Sequence, residues 1–295
     1  MKPFAANSSA FNRVKVLICE SNPMIKQALR IGLNNLGIRE IAEASNFIAA
    51  HKAIGDGGFD VLIMNTELDN QDTEFMVREV RLGQLGPDPF VITMLLLAAP
   101  NQTKLRNAID CGADDLLLIP FSPDQTATRL GAFKTRRKPF VITHDYVGPD
   151  RRKNPRPGDN SAPHLHAPNP VASRAAGMPH ERYDQLLRQA KQSIGAERIK
   201  RLAAAAEWEC RSMMNAAASG RTGREFMISS FFKLETLISE LADRATTQLK
   251  HDSSHFDDMM DKVRDAKNRM NDLKLADFDV LHSASRRIAV TYTGG

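Results

Sequence analysis

A chain of 295 residues, 42% hydrophobic and 25% charged, is long enough for two compact domains and a linker, and its composition is neither fibrous nor disordered. Its net charge of +5 is concentrated in the middle of the chain, which argues against a general nucleic-acid binder. No apolar run reaches bilayer length, no charged-then-apolar leader opens the sequence, and Cys19, Cys111 and Cys210 lack metal or redox spacing; the expectation is a cytoplasmic protein with no membrane insertion, metal cage or cofactor.

From Val14 to Phe133 strands and helices alternate. "VKVLIC" (Val14–Cys19) is a short apolar run with β-branched residues and reads as a buried strand. Ser21 or Asn22 can cap the next helix and Pro23 suits its first turn. Ile25, Leu29, Leu33 and Leu36 recur at helical spacing, and Gly37 ends it. "EIAEA" and a helix over 45–56 form a second unit. Val61–Met64 and a helix over Glu74–Leu82 form a third. "FVITMLLLA" and a helix from about Asn101 to Cys111 come next, then "DLLLIPF" and a helix beginning near Pro123. Five strands alternating with helices predict a parallel sheet covered on both faces, with its working residues beyond the carboxyl ends of the strands.

Residues 11–133 carry a charge of −4, residues 134–182 of +6 and residues 183–295 of +2, with Lys2 supplying the remainder. The segment 134–180 is rich in Pro, Gly and basic residues and is expected to be a disordered linker, its Pro-rich half above all. Within it "PFVITHDYVG" is patterned well enough to add a strand to a sheet edge or dock on a partner. Arg136, Arg137, Lys138, Arg151, Arg152 and Lys153 form two basic clusters. They would bind phosphates in a salt-dependent way or, as charge blocks more often do, remain a solvated face.

Residues 181–290 read as helix throughout. Met227, Phe231, Leu234, Ile238, Leu241 and Ala245 keep a three-four alternation, as do Phe256, Met259, Val263, Ala266, Met270 and Leu273. A first stripe runs through Leu187, Ile194, Ile199 and Leu202, so two or three long helices carry more apolar surface than one pair covers. A bundle or a homodimer through 181–290 would bury it. Met213, Met214, Met227, Met259, Met260 and Met270 suggest an adaptable binding face, and Trp208 marks either core or contact.

The stretches "VLICESNPMIKQALR", "FDVLIMNTELDNQDTEFMVREVR" and "AIDCGADDLLLIPFSPDQ" resemble the receiver domain of two-component response regulators, over about 14–133. The resemblance implies a flavodoxin-like five-stranded parallel α/β fold, a bacterial signalling pathway with a protein partner, and pairing through helices. It also implies a phosphoacceptor aspartate at the end of the third strand, beside two acidic residues that share a magnesium ion.

Here the acidic pair is Glu20 and Ser21, and the acceptor position holds Asn65. Leu97 stands where a hydroxyl contacts the phosphate, and Ile119 replaces the lysine before Pro120-Phe121. An amide oxygen cannot form the acyl phosphate, and one carboxylate is a poor magnesium site. The reading is therefore a pseudo-receiver with no enzymatic activity that works by protein–protein contact. Two alternatives stay open: a phosphorelay regulator with a non-standard acceptor, and a nucleic-acid-associated regulator using the basic linker. Asp69 and Asp72 read as turn residues, His251, His255 and His282 as surface histidines, and "HLH" (His164–His166) as at most two metal ligands.

Overall fold

Every apolar run read as a strand forms one. The computed structural model describes residues 10–98, 101–152, 164–249 and 254–293. In chain order come β1 (Lys15–Cys19), α1 (Pro23–Leu36), β2 (Glu40–Ala44), α2 (Phe47–Asp56) and β3 (Val61–Asn65). A small hairpin of β4 (Glu67–Leu68) and β5 (Gln71–Asp72) leads to α3 (Glu74–Leu82), β6 (Ile92–Ala98), α4 (Gln102–Asp110), β7 (Asp115–Ile119) and α5 (Pro123–Ala132). The sheet is wholly parallel, in the order β2-β1-β3-β6-β7. This is the flavodoxin-like receiver fold. The strands alternate their side chains between two cores. Val16, Ile18, Ile63 and Leu96 pack under α1 and α5, while Leu17, Leu62, Met64 and Leu95 pack under α2, α3 and α4. Strand order reverses between β1 and β3, so the ends of those two strands open onto one crevice.

The segment expected to be a disordered linker is in large part folded. Strands β8 (Phe140–Ile142) and β9 (Val147–Pro149) form a separate antiparallel hairpin instead of extending the main sheet, and Leu165 bridges to Phe140. Tertiary contacts that local composition does not reveal account for this. The Arg81 and Arg137 guanidiniums lie over the Phe140 ring at 5.2 and 4.9 Å. A Cβ on Gly148 would come within 2.8 Å of the Gly112 Cα, so glycine is needed where the hairpin meets the turn before β7. Helix α6 (Pro170–Ala175) follows, and Arg174 ties it to the buried Asp60 at 3.0 Å. Most of the Pro-rich stretch, 153–163, lies outside the described residues. The first compact unit accordingly runs to Lys191 and takes in residues assigned from sequence to the linker and the helical segment.

The second unit, Gln192–Gly295, is helical. It holds the end of α7 (His180–Ala218), then α8 (Arg224–Leu249), α9 (Ser254–Asn268) and α10 (Leu275–Thr293). A short 3₁₀ turn at Met270–Asp272 separates the last two, a break that the sequence reading ran through. The apolar stripes meet in one core within a single chain: Leu202 and Met213 of α7, Phe231 and Leu234 of α8, Met259 and Val263 of α9, Leu281 of α10. Met213, Met227 and Met259 are therefore core residues and not the adaptable surface expected of them, whereas Trp208 is 62% exposed. None of the described helices is long and apolar enough to cross a membrane.

All three thiols are buried and free. Burial pushes Cys19 and Cys210 up to about 12 and Cys111 to about 11, so none is a thiolate near neutral pH. We expect an aromatic disulfide reagent to leave the native protein untouched and to titrate one equivalent per cysteine after unfolding. Prompt reaction of the native protein would show that one of these sites opens.

Candidate functional site

The five positions singled out from sequence fall at one end of the sheet. Glu20 follows β1 with Ser21 after it, Asn65 ends β3, Leu97 lies at the end of β6 and Ile119 ends β7. Register places Asn65 beside Leu96, and Ala98 beside Ile119.

Glu20 is buried, and both its oxygens are occupied by donors of the chain itself. The Asn22 backbone N–H donates to Oε1 at 2.8 Å, and the Asn65 side-chain amide donates to Oε2 at 2.9 Å. The Asn65 Oδ1 accepts the Glu67 N–H at 3.2 Å. Flipping that amide would set oxygen against carboxylate and NH₂ against N–H, so the network fixes its orientation. Below it the buried Thr73 hydroxyl donates to the Asn65 carbonyl at 2.6 Å. The Glu20 carboxyl thus accepts an amide N–H and a backbone N–H, and among the described residues no cation pairs with it.

The surrounding residues remove the remaining polar chemistry. Leu97 is wholly buried, and the half-buried Ile119 packs against the core under α1 and α5. Position 119 brings no cation. Ser21 is exposed, and Asn22, not Ser21, caps α1, accepting from Met24 and Ile25. The ligand atoms here belong to one carboxylate that already accepts two N–H groups, one amide and one exposed hydroxyl. They do not fit the magnesium ion that the fold family implies. Among the described residues no group of three or more His, Cys, Asp or Glu is arranged to hold a metal.

Of the two aspartates after Asn65 that read from sequence as turn residues, Asp69 lies in a turn, whereas Asp72 is in strand β5, paired with Glu67. Asp69 and Asn70 adopt left-handed backbone angles, φ 52 and 60, at the tip of the β4–β5 hairpin, a conformation that Asp and Asn tolerate. The Asp69 carboxylate accepts the Phe47 N–H at 2.8 Å, and Asp72 is exposed. His282 pairs with Glu207 at 2.9 Å and His164 with Asp150 at 2.7 Å, His255 is exposed, and His251 lies outside the described residues.

The basic clusters do not gather into one surface. Arg137 is buried and donates to Asp114, Arg151 donates to the Ala113 carbonyl, and Arg152 pairs with Asp150. Arg136 and Lys138 face solvent, and Lys153 lies outside the described residues.

Sequence reasoning missed a second constellation, at the opposite end of the sheet. Arg81, in α3, is wholly enclosed. It donates to the carbonyls of Gly112, Pro89 and Val91, to the Thr93 hydroxyl, and to Asp114 at 2.7 Å. Arg137 reaches the same carboxylate at 3.0 Å. The only hint was an arginine, Arg81, on the apolar face of α3 beside Val77 and Val80.

The chain is similar to known bacterial regulatory proteins. It is 28% identical over 124 residues to the phosphate regulon transcriptional regulatory protein PhoB of Pseudomonas aeruginosa, and 30% identical over 126 residues to the response regulator protein PmrA of that organism. Each match takes in 42% of this chain and 53% of the relative. Over these N-terminal residues the chain is homologous to response regulators. The chain spans about half the length of the curated relatives it matches, and no family model matches it. Among solved structures, the receiver domain of sensor histidine kinase PA1611 from P. aeruginosa, with magnesium in its active site cleft, aligns at 24% identity and a TM-score of 0.36, over 40% of this chain and 94% of that one. The chemotaxis protein CheY4 of Vibrio cholerae aligns at 25% and 0.35, over 40% and 96%. The receiver fold accords with two-component signalling.

Proposed function

We propose that this receiver is a pseudo-receiver, which acts in a bacterial two-component-type pathway by contact with a protein partner and accepts no phosphoryl group. The observation that supports this best is the hydrogen bond from the Asn65 amide to Glu20. It occupies the place where an acceptor carboxylate and a metal ligand would stand. A carboxylate already bonded to an amide that cannot be phosphorylated gives a phosphodonor no accepting nucleophile at position 65 and no cation to enter against. On this reading the protein has no catalysis of its own and works in the cytoplasm. Exposed Ile228, Phe232, Val280 and Val290 of the helical unit offer contact area to a partner or to a second copy through residues 181–290. The phosphorelay alternative gains nothing from Asp69, which serves as a turn and cap. The nucleic-acid alternative loses Arg137 and Arg151 to internal partners.

Incubation with acetyl phosphate, or with beryllofluoride and magnesium, tests the proposal. We expect unchanged mass and no specific amide shifts around Asn65. A stable adduct on any carboxylate of the receiver would overturn it.

A further inference from the structure

Helix α8 has two faces of different character. Phe231, Leu234 and Ile238 point into the core of the bundle, while Ile228 and Phe232, one turn apart on the outside, are 49% and 68% exposed. Two ion pairs mark the flanks of the outer face. Glu235 reaches Lys267 of α9 on one side, and Glu240 reaches Arg198 of α7 on the other. Between those flanks run Ile228, Ser229, Phe232, Thr236 and Ser239, all exposed. This strip holds two large apolar side chains, three short hydroxyls and no charge. Its nearest charges are Glu225, two turns before Phe232, and Lys233, two turns before Glu240 and so on the α7 edge. Both are exposed, and among the described residues neither forms an ion pair.

Large apolar side chains on an uncharged helix strip are what helix packing buries, and the flanking charges decide what packs here. A second copy of α8, laid antiparallel about a two-fold axis level with Ser230, sets Ile228 opposite Phe232 of the other copy. Symmetry makes that contact twice. The same operation brings Glu225 toward Lys233 of the other copy. One stands five residues before the axis and the other three after it, so they are offset by about 3 Å along the helix, within a lysine's reach. A parallel pairing would instead set Glu225 against Glu225 and Lys233 against Lys233. We propose that the outer face of α8 is a homodimer interface, an antiparallel α8–α8 contact centred on Ile228 and Phe232 and flanked by two Glu225–Lys233 ion pairs. The inference rests on the protein-contact reading of the helical unit, for which it names the partner as a second copy of this chain.

Sedimentation equilibrium of the full-length protein from about 1 to 200 μM reads the contact, because a small seam gives a weak, concentration-dependent dimer. The mass is expected to rise from monomer toward dimer across that range. Phe232→Glu should weaken dimerisation by about tenfold or more and leave helix content unchanged, since the side chain is exposed within the single chain. Glu225→Lys should weaken it as well. Combining Glu225→Lys with Lys233→Glu should restore it, a rescue that antiparallel pairing allows and parallel pairing does not. A monomer at every concentration would overturn the proposal and leave the face to a different protein. A dimer indifferent to Phe232→Glu, or a charge swap without rescue, would overturn it too. None of these outcomes bears on the phosphodonor test, which reads the receiver alone.

Discussion

Asp114→Ala is expected to lower the stability of the receiver unit by about 3–5 kcal/mol, the range for removing one partner of a buried ion pair. Asp114 receives Arg81 and Arg137, and all three side chains are almost wholly enclosed, at 2%, 1% and 4% exposure. Desolvation pulls the Arg81 pKa below its ordinary value and Asp114 beside it pushes it back. Two buried guanidiniums that share Asp114 beside the Phe140 ring would be left without it. The adjacent Asp115 supplies the control, since its Arg129 partner at 2.8 Å is half exposed and Asp115→Ala should cost less than about 1 kcal/mol. Urea unfolding followed by circular dichroism compares the two. Equal midpoints would show that the triad does not hold the hairpin. The same geometry predicts that a fragment ending at residue 133 is less stable than one ending at 191. The shorter fragment loses Arg137, Phe140 and Arg174, and with them the cover over Asp114 and Asp60.

The sheet was legible because most of its strands are apolar runs closed by a turn residue, β2 (EIAEA) being the exception, and several of its helices have a side-chain cap, though α3, entered at Thr73, does not. Asn22 caps α1, Asn101 caps α4, and Ser122 with Gln125 forms a capping box on α5. The site was legible as a set of positions, because strand ends converge in a parallel sheet. That Asn65 donates to Glu20 was not, since which side chain an amide finds depends on packing. The hairpin 140–149 was hidden for a different reason. Its flanks are basic and Pro-rich, the composition of a solvated segment, and what holds it is distant in sequence: Arg137 is buried against Asp114, 23 residues upstream. Among the helices the stripes were read correctly, but the break between α9 and α10 was not. Met270 and Leu273 continue the apolar alternation through the turn and pack against the core from its edge, so periodicity gave no signal there.

Asn65→Asp is expected to destabilise the receiver at neutral pH and to leave it unable to take up phosphate. The Asn65 amide sits 2.9 Å from a buried carboxylate, and replacing NH₂ by oxygen turns a hydrogen bond into a like-charge contact. Raising the pKa of the new carboxyl by about two units would correspond to roughly 2–3 kcal/mol. The sign then follows. A carboxyl whose folded pKa lies above its unfolded value takes up a proton on folding, so the stability deficit is fully present above the raised pKa and shrinks as pH falls through it. The wild type, with an uncharged amide there, lacks this dependence. Unfolding midpoints of the two proteins should therefore diverge at neutral pH and approach one another in mild acid. Magnesium should narrow the neutral-pH gap only weakly, because Ser21 supplies no second carboxylate and Ile119 no cation to the entering phosphoryl group. An Asn65→Asp variant as stable as the wild type without divalent cations, or one that forms an acyl phosphate with acetyl phosphate, would mean that this end of the sheet still has the receiver's chemistry and lacks only its nucleophile.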